Sequence, residues 1–195
     1  ASDDASLLRA FDGFRHRFAS GEDLAALLTG ARRIVAAHGS LGACLAGHVH
    51  PGDETVVSGL ARFVDEMRRA MDRPSGHLLP SPNDGSACKR LNLWLRWMVR
   101  RDAVDPGGWD ERLKPKLLVP LDTHMHRIAL RLGLTARRQA DLRTALEVTA
   151  GFRAIAPRDP VRYDFALTRL GMRPEIGLGD FLGIVNGQKT RTGIH

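Results

Sequence analysis

The chain has 195 residues, which suffices for one domain of ordinary size or two small lobes and excludes several independent modules. Hydrophobic residues make up 43% and charged residues 26%, which excludes a disordered chain and a coiled-coil rod. The net charge is +7, and residues 86–143, with thirteen basic and six acidic side chains, carry a charge equal to that total. This segment favours a polyanionic partner, with nucleic acid ahead of an anionic membrane; the alternative is a solvated arginine-rich surface.

Cysteine usage and hydropathy exclude further classes of protein. Cys44 and Cys88 are the two cysteines, and neither lies in a CxxC pair. This spacing supports no zinc ribbon, iron–sulfur cluster or disulfide scaffold, so we predict no metal site and no cofactor. Because no apolar run is long enough to span a bilayer and no signal-peptide pattern opens the chain, we expect a cytoplasmic protein without a membrane partner.

Apolar residues recur at three- and four-residue spacing along the chain, and no alternating run predicts a hairpin, so the expected fold class is all-α. The first predicted helix runs from Leu7 to near Ser20. The later predicted helices cover residues 20–38, 40–46, 86–101, 122–132, 135–150 and 160–170, and one more follows Asp53 and ends before Pro74. The expected N-caps are Ser20 for 20–38, Asp53 for the helix after it, Asp122 for 122–132 and Thr135 for 135–150.

Residues 74–85 contain three prolines, two glycines and an Asn-Asp-Gly turn, which predicts an exposed linker. This linker lies between the acidic and the basic parts of the chain. We therefore expect an N-terminal helical lobe over residues 1–76, a catalytic region over 77–173 and a flexible C-terminal tail over 174–195.

Two stretches place a charged residue at the start of a predicted helix: Gly85-Ser86-Ala87-Cys88-Lys89 and Asp122-Thr123-His124. A glycine turn that enters a helix presents free backbone N–H groups and the positive end of the helix dipole, which bind phosphate. A lysine there is either a nucleophile or a phosphate contact. An aspartate at a helix start is either a cap or a catalyst.

These stretches resemble the helix-hairpin-helix DNA glycosylase superfamily of endonuclease III and the 8-oxoguanine glycosylases, and residues 77–173 look like a bacterial family related to it. The superfamily's Gly-Val-Gly-x-Lys hairpin matches at Gly85 and Lys89, and its Val-Asp-Thr-His segment matches at 122–124. Ala87 stands where the hairpin usually has its second glycine. The spacing from Lys89 to Asp122 is also longer than in the common members.

The resemblance implies a two-lobed, all-α glycosylase-like fold with a helix-hairpin-helix-type element. It also implies a DNA repair enzyme that excises an oxidised purine such as 8-oxoguanine and then nicks the strand as an AP lyase. Lys89 would form the Schiff base, and Asp122 would stabilise the positive charge on the sugar and help to deprotonate the lysine. The expected partner is double-stranded DNA with a damaged base, bound by a monomer in the nucleoid.

The same resemblance, or the chemistry of the side chain, suggests roles for further residues. The expected DNA contacts are Gly85, Ser86, Ala87, Arg90, His124 and Arg127, with Arg96, Arg100, Arg101 and His126 as further candidates. The expected base-pocket residues are Trp109, Tyr163 and Phe165, whereas Trp94 and Trp97 are expected in the core. Two other readings stay open: a non-catalytic helix-hairpin-helix protein that binds DNA or RNA, and a glycosylase for another modified base.

Overall fold

The computed structural model describes residues 4–73 and 77–172, so the predicted tail over 174–195 lies outside the described residues. In this part of the chain the regular structure is helical apart from one two-stranded hairpin, which confirms the all-α class. None of the described helices is long and apolar enough to cross a membrane.

The described elements follow one another in chain order. The α-helices are α1 Asp4–Ala10, α2 Gly21–His38, α3 Leu41–His48, α4 Val57–Ala70, α5 Lys89–Val99, α6 Thr123–Arg131, α7 Leu142–Ile155 and α8 Asp164–Met172. The antiparallel hairpin is β1 Arg15–His16 with β2 Ala19–Ser20, and two 3-10 helices cover Pro82–Asp84 and Glu111–Lys116.

Local capping chemistry fixes the ends of several helices, as the sequence predicts. The Ser20 side chain accepts a hydrogen bond from the backbone N–H of Asp23, whose carboxylate accepts one from the backbone N–H of Ser20. This reciprocal capping box starts α2, which ends at Gly39 with a φ of +80°. Asp122 likewise caps α6 by accepting a hydrogen bond from the backbone N–H of Met125.

The predicted first helix is wrong beyond Ala10. Gly13 adopts a φ of +71°, a left-handed conformation that ends a right-handed helix, and the chain then turns into the β1–β2 hairpin. The aromatic spacing that suggested a continuous helix is therefore coincidental, and Phe18 is largely exposed.

Two predicted caps are also wrong. The Asp53 carboxylate accepts a hydrogen bond from the backbone N–H of His50, and α4 begins without a side-chain cap. Asp141, rather than Thr135, caps α7. The last helix likewise starts later than predicted, because residues 160–163 form turns before α8.

A continuous hydrophobic core joins the described elements. Its members run from Ala26 to Leu167, and Phe63, Leu95 and Met125 are fully buried. Because the cluster contains residues from both predicted lobes, the lobes share this core. At one junction Gly42 of α3 lies so close to the Trp109 indole that a Cβ at position 42 would come within 2.9 Å of the ring.

A buried ionic network fastens α8 to α5. Arg96 makes a bidentate contact with Asp105 at 3.1 and 2.9 Å and donates to Asp164 at 2.5 Å, while Arg100 also donates to Asp105. Asp105 has 0% exposure. Burial raises the pKa of the Asp164 carboxyl, against the opposing effect of Arg96. The prediction that Arg96 and Arg100 face DNA is therefore wrong, because both guanidinium groups lie inside the protein.

Removing the Asp105 charge is expected to destabilise the fold strongly. In Asp105→Asn the guanidinium groups of Arg96 and Arg100 lose their shared, fully buried counter-charge, which costs about 3–5 kcal/mol of unfolding free energy. Urea denaturation measures this loss.

Asp102→Asn is the matched control, because the partly exposed Asp102 also pairs with Arg100. We expect this control to cost less than about 1 kcal/mol. Equal losses of unfolding free energy in the two variants would show that the buried Asp105 contributes no more to stability than the partly exposed Asp102.

Candidate functional site

The hairpin before α5 is built from two left-handed residues and is joined to α7. Gly85 ends the first 3-10 helix with a φ of +73°, and Cys88 adopts a φ of +46° immediately before the helix. The Gly85 carbonyl accepts a hydrogen bond from the backbone N–H of Leu142 at 3.0 Å. Ala87 has no left-handed backbone, so alanine can stand at that position of the hairpin without strain.

Lys89 is the first residue of α5, three residues later than the predicted start of that helix. The left-handed Cys88 breaks the helical backbone there, and the Ser86 hydroxyl accepts a hydrogen bond from the Cys88 N–H at 3.1 Å. Cys88 makes no side-chain cap. The first turn of α5 therefore keeps backbone N–H groups that no capping side chain satisfies.

The Asp122 carboxylate serves two partners. Its Oδ1 accepts a hydrogen bond from the backbone N–H of Met125 at 2.8 Å, which holds the carboxylate at the start of α6. Its Oδ2 lies 3.6 Å from the Lys89 Nζ. Capping by one oxygen thus orients the other oxygen toward the lysine.

The Lys89–Asp122 pair is accessible from outside. The Lys89 side chain is 43% exposed and the Asp122 side chain 24% exposed, so a ligand can reach both groups. A separation of 3.6 Å is an ion-pair distance, longer than a strong hydrogen bond. The sequence motifs lie 33 positions apart, and the fold brings the two side chains together.

The pair borders a cavity of about 230 Å³ between α5 and α8. Lys89, Leu93, Arg96 and Trp97 line it from α5, at a spacing that puts all four on one face of that helix. The α8 side chains that line it are Asp164, Phe165, Thr168 and Arg169, and Val104 and Pro120 complete the wall.

Two partly exposed aromatic rings give the cavity flat apolar surfaces. Trp97 is 43% exposed and Phe165 is 37% exposed. The guanidinium groups of Arg96 and Arg169 lie 5.8 and 5.3 Å from the centre of the Phe165 ring, within the range of cation–π attraction.

Of the three predicted base-pocket residues, the structure places Phe165 in the wall of this cavity, and Trp109 and Tyr163 outside it. Trp109 packs edge-on against Trp94, with 4.7 Å between ring centres, so its ring contributes to the core instead. Tyr163 packs against Phe152.

The core assignment of Trp97 is wrong. The indole is partly exposed in the cavity. Its spacing of eight from Lys89 was the available signal, because residues separated by eight positions share a helix face.

The predicted DNA contacts around the pair divide into accessible and internal groups. Arg90 is exposed and donates to the carbonyl of His77. On α6, Arg127 is exposed and donates to the Nδ1 of His124 at 3.2 Å. His126 points inward, where its Nε2 lies 2.8 Å from the carbonyl oxygen of Arg137, so it is not available to a phosphate.

Comparison with known proteins identifies a family but no relative of established activity. No curated protein and no solved structure matches the chain. The sequence model of the family described as "Protein of unknown function (DUF2400)" matches residues 1–173, and the chain therefore belongs to that family.

Proposed function

We propose that the protein is a DNA glycosylase with AP lyase activity, which excises an oxidised purine such as 8-oxoguanine through a lysine Schiff base. The observation that carries the proposal is the 3.6 Å approach of the Lys89 Nζ to the Asp122 Oδ2 beside a cavity. A glycosylase-like fold with a helix-hairpin-helix-type element is part of the same proposal. The sequence resemblance supports the reaction class, and a lysine next to a carboxylate at the edge of a cavity is consistent with it.

The proposed reaction starts when the Lys89 ammonium group passes a proton through the Asp122 carboxylate to solvent, which leaves a neutral amine beside an ionised Asp122. The resulting amine attacks the sugar C1′, and the bond from C1′ to the base breaks, with its electron pair leaving on the base, which then takes up a proton. The nitrogen then gives up its second proton and O4′ takes one up as the C1′–O4′ bond breaks, which opens the sugar ring to an iminium ion. Removal of a proton from C2′ then expels the 3′-phosphate and cuts the strand.

The Asp122 carboxylate suits this reaction because its position is fixed in advance. A negative charge held beside a sugar that becomes positive lowers the barrier most when it need not reorient. The contact of Oδ1 with the Met125 N–H provides that restraint. The lysine side chain is the more mobile partner, and catalytic contacts are often long in the absence of substrate.

The cavity suits a base that has been rotated out of the duplex. Its volume of about 230 Å³ lies below the range of drug-sized pockets, as expected for a single ring system. Trp97 and Phe165 offer apolar surfaces for stacking, which is how proteins hold unstacked bases.

The surroundings suit a DNA backbone. The uncapped N-terminus of α5 provides backbone N–H groups and the positive end of a helix dipole for a phosphate. Arg90 and Arg127 are exposed near the start of α5 and on α6, where guanidinium groups bind phosphates. Part of the positive charge of residues 86–143 is internal, however, because Arg96 and Arg100 are buried.

Borohydride trapping tests the Schiff base. With a panel of duplexes that each carry one damaged base, we expect the wild-type chain to form a covalent adduct, and Lys89→Gln to form none while still binding DNA. Lys114→Gln is the matched control, since Lys114 pairs with Glu111 on the second 3-10 helix and lies outside the cavity.

Failure of the wild-type chain to form an adduct on any lesion would contradict the lyase proposal. Salt-sensitive DNA binding without a lesion preference would then favour the binding-only alternative. An adduct that forms only on a lesion other than 8-oxoguanine would keep the chemistry and change the substrate.

Asp122→Asn separates catalysis from helix capping. Asparagine caps a helix about as well as aspartate, so the fold is expected to persist while single-turnover excision falls about 100-fold or more. DNA affinity is expected to stay the same or rise slightly, because a negative charge near the phosphates is removed.

Asp110→Asn is the control for Asp122→Asn, since Asp110 also caps a helix and pairs with a basic residue, Arg112. Excision by this control is expected to match the wild-type rate. If Asp122→Asn loses DNA binding or its melting temperature falls far below that of the control, the aspartate is structural.

A further inference from the structure

Four side chains with metal-ligating atoms meet where α2, α3 and α4 pack together. His38 is the last residue of α2, Cys44 and His48 lie one turn apart on α3, and Glu66 lies on α4. The positions 44 and 48 share a helix face because residues four apart are neighbours. The set shares no residue with the Lys89 cavity.

The ligand atoms of this cluster converge on the Glu66 carboxylate. The His38 Nε2 lies 2.6 Å from Oε1, and the His48 Nε2 lies 2.6 Å from Oε2. The Cys44 Sγ lies 3.7 Å from the same Oε2. The ligand atoms of His38, Cys44 and Glu66 all lie within 4.8 Å of one another.

We propose that His38, Cys44, His48 and Glu66 form a structural zinc site. Two imidazoles, one thiolate and one carboxylate are the ligand types that Zn²⁺ takes, and four protein ligands are the number typical of a structural site. The charges also match, because one thiolate and one carboxylate neutralise the two positive charges of the ion while both imidazoles stay neutral.

The four side chains must rearrange to accept the ion. Nitrogen and oxygen ligands about 2.0–2.1 Å from a tetrahedral zinc lie about 3.3 Å from each other. The two His–Glu contacts of 2.6 Å must therefore open, and Glu66 then binds through one oxygen. The side chains of His38, His48 and Glu66 are each about one-quarter to one-third exposed, which gives the ion a path from solvent.

Zinc binding is expected to release a proton from the Cys44 thiol. Burial, the larger cause, and the nearby Glu66 carboxylate, the smaller one, raise the pKa of the Cys44 thiol to about 11. The thiol is therefore protonated near neutral pH without a metal. Zinc binds the thiolate and displaces that proton.

The bound ion would hold together the three helices that build the N-terminal part of the core. Separating the end of α2, the helix α3 and the last turns of α4 would then require breaking metal–ligand bonds. This inference is independent of the proposed glycosylase function, because its test measures metal binding and stability rather than excision.

Cobalt and zinc titrations of the full chain, stripped of metal with a chelator, test the site. One equivalent of Co²⁺ is expected to give visible d–d bands and a near-ultraviolet thiolate-to-cobalt charge-transfer band, and Zn²⁺ is expected to remove both because it binds more tightly. At a zinc concentration 100 times Kd, the melting temperature is expected to rise by about 5–10 °C.

Variants assign the binding to these residues. Cys44→Ser is expected to lose the charge-transfer band, and His48→Gln to weaken cobalt binding by more than about 100-fold, since loss of an outer partner alone weakens metal sites about 10- to 100-fold. His50→Gln removes a neighbouring exposed imidazole and is expected to bind as the wild type does. If Cys44→Ser does not fold, His48→Gln still tests the site against this control.

Two results would overturn the proposal. The first is a wild-type chain that shows neither a charge-transfer band nor a zinc-dependent rise in melting temperature, which would make the cluster a hydrogen-bonded His–Glu–His clamp. The second is a charge-transfer band that persists in Cys44→Ser or cobalt affinity that is unchanged in His48→Gln, which would place the metal elsewhere.

Discussion

The buried contact of Arg96 with Asp105 and Asp164 is the constraint on which the candidate site depends. Arg96 occupies the face of α5 that also carries Lys89 and Trp97, and its bond to Asp164 holds the start of α8 against that face. This bond ties together the two helices that carry the exposed aromatic rings of the cavity.

The carboxylate of Asp122 shows how one side chain can cap a helix with one oxygen and face a second charged group with the other. Capping and catalysis are usually treated as competing explanations of an aspartate at a helix start. Here Oδ1 caps α6 and Oδ2 faces Lys89, so the cap is what holds the second oxygen in place. A lysine at the first residue of one helix and an aspartate at the cap of another meet because both helix starts border the same cavity.

Features that depend on a few neighbouring residues could be predicted from the sequence, and features that depend on distant pairs could not. The capping box of Ser20 and Asp23 and the cap at Asp122 follow from local chemistry. Arg96 and Asp164 are 68 positions apart, and nothing local indicates that this arginine is buried. The cluster of His38, Cys44, His48 and Glu66 could not be predicted for the same reason, because its side chains come from three helices. The predicted first helix is too long because its aromatic spacing continues past Gly13, where the left-handed backbone is incompatible with a helix.

Mass spectrometry that locates the covalent bond gives the sharpest test of whether Lys89 is the nucleophile. The borohydride-reduced adduct is digested with protease and nuclease, and the peptide that carries the sugar remnant is sequenced. We expect the remnant on Lys89. A remnant on any of the other three lysines of the chain, or on the N-terminal amine, would contradict it.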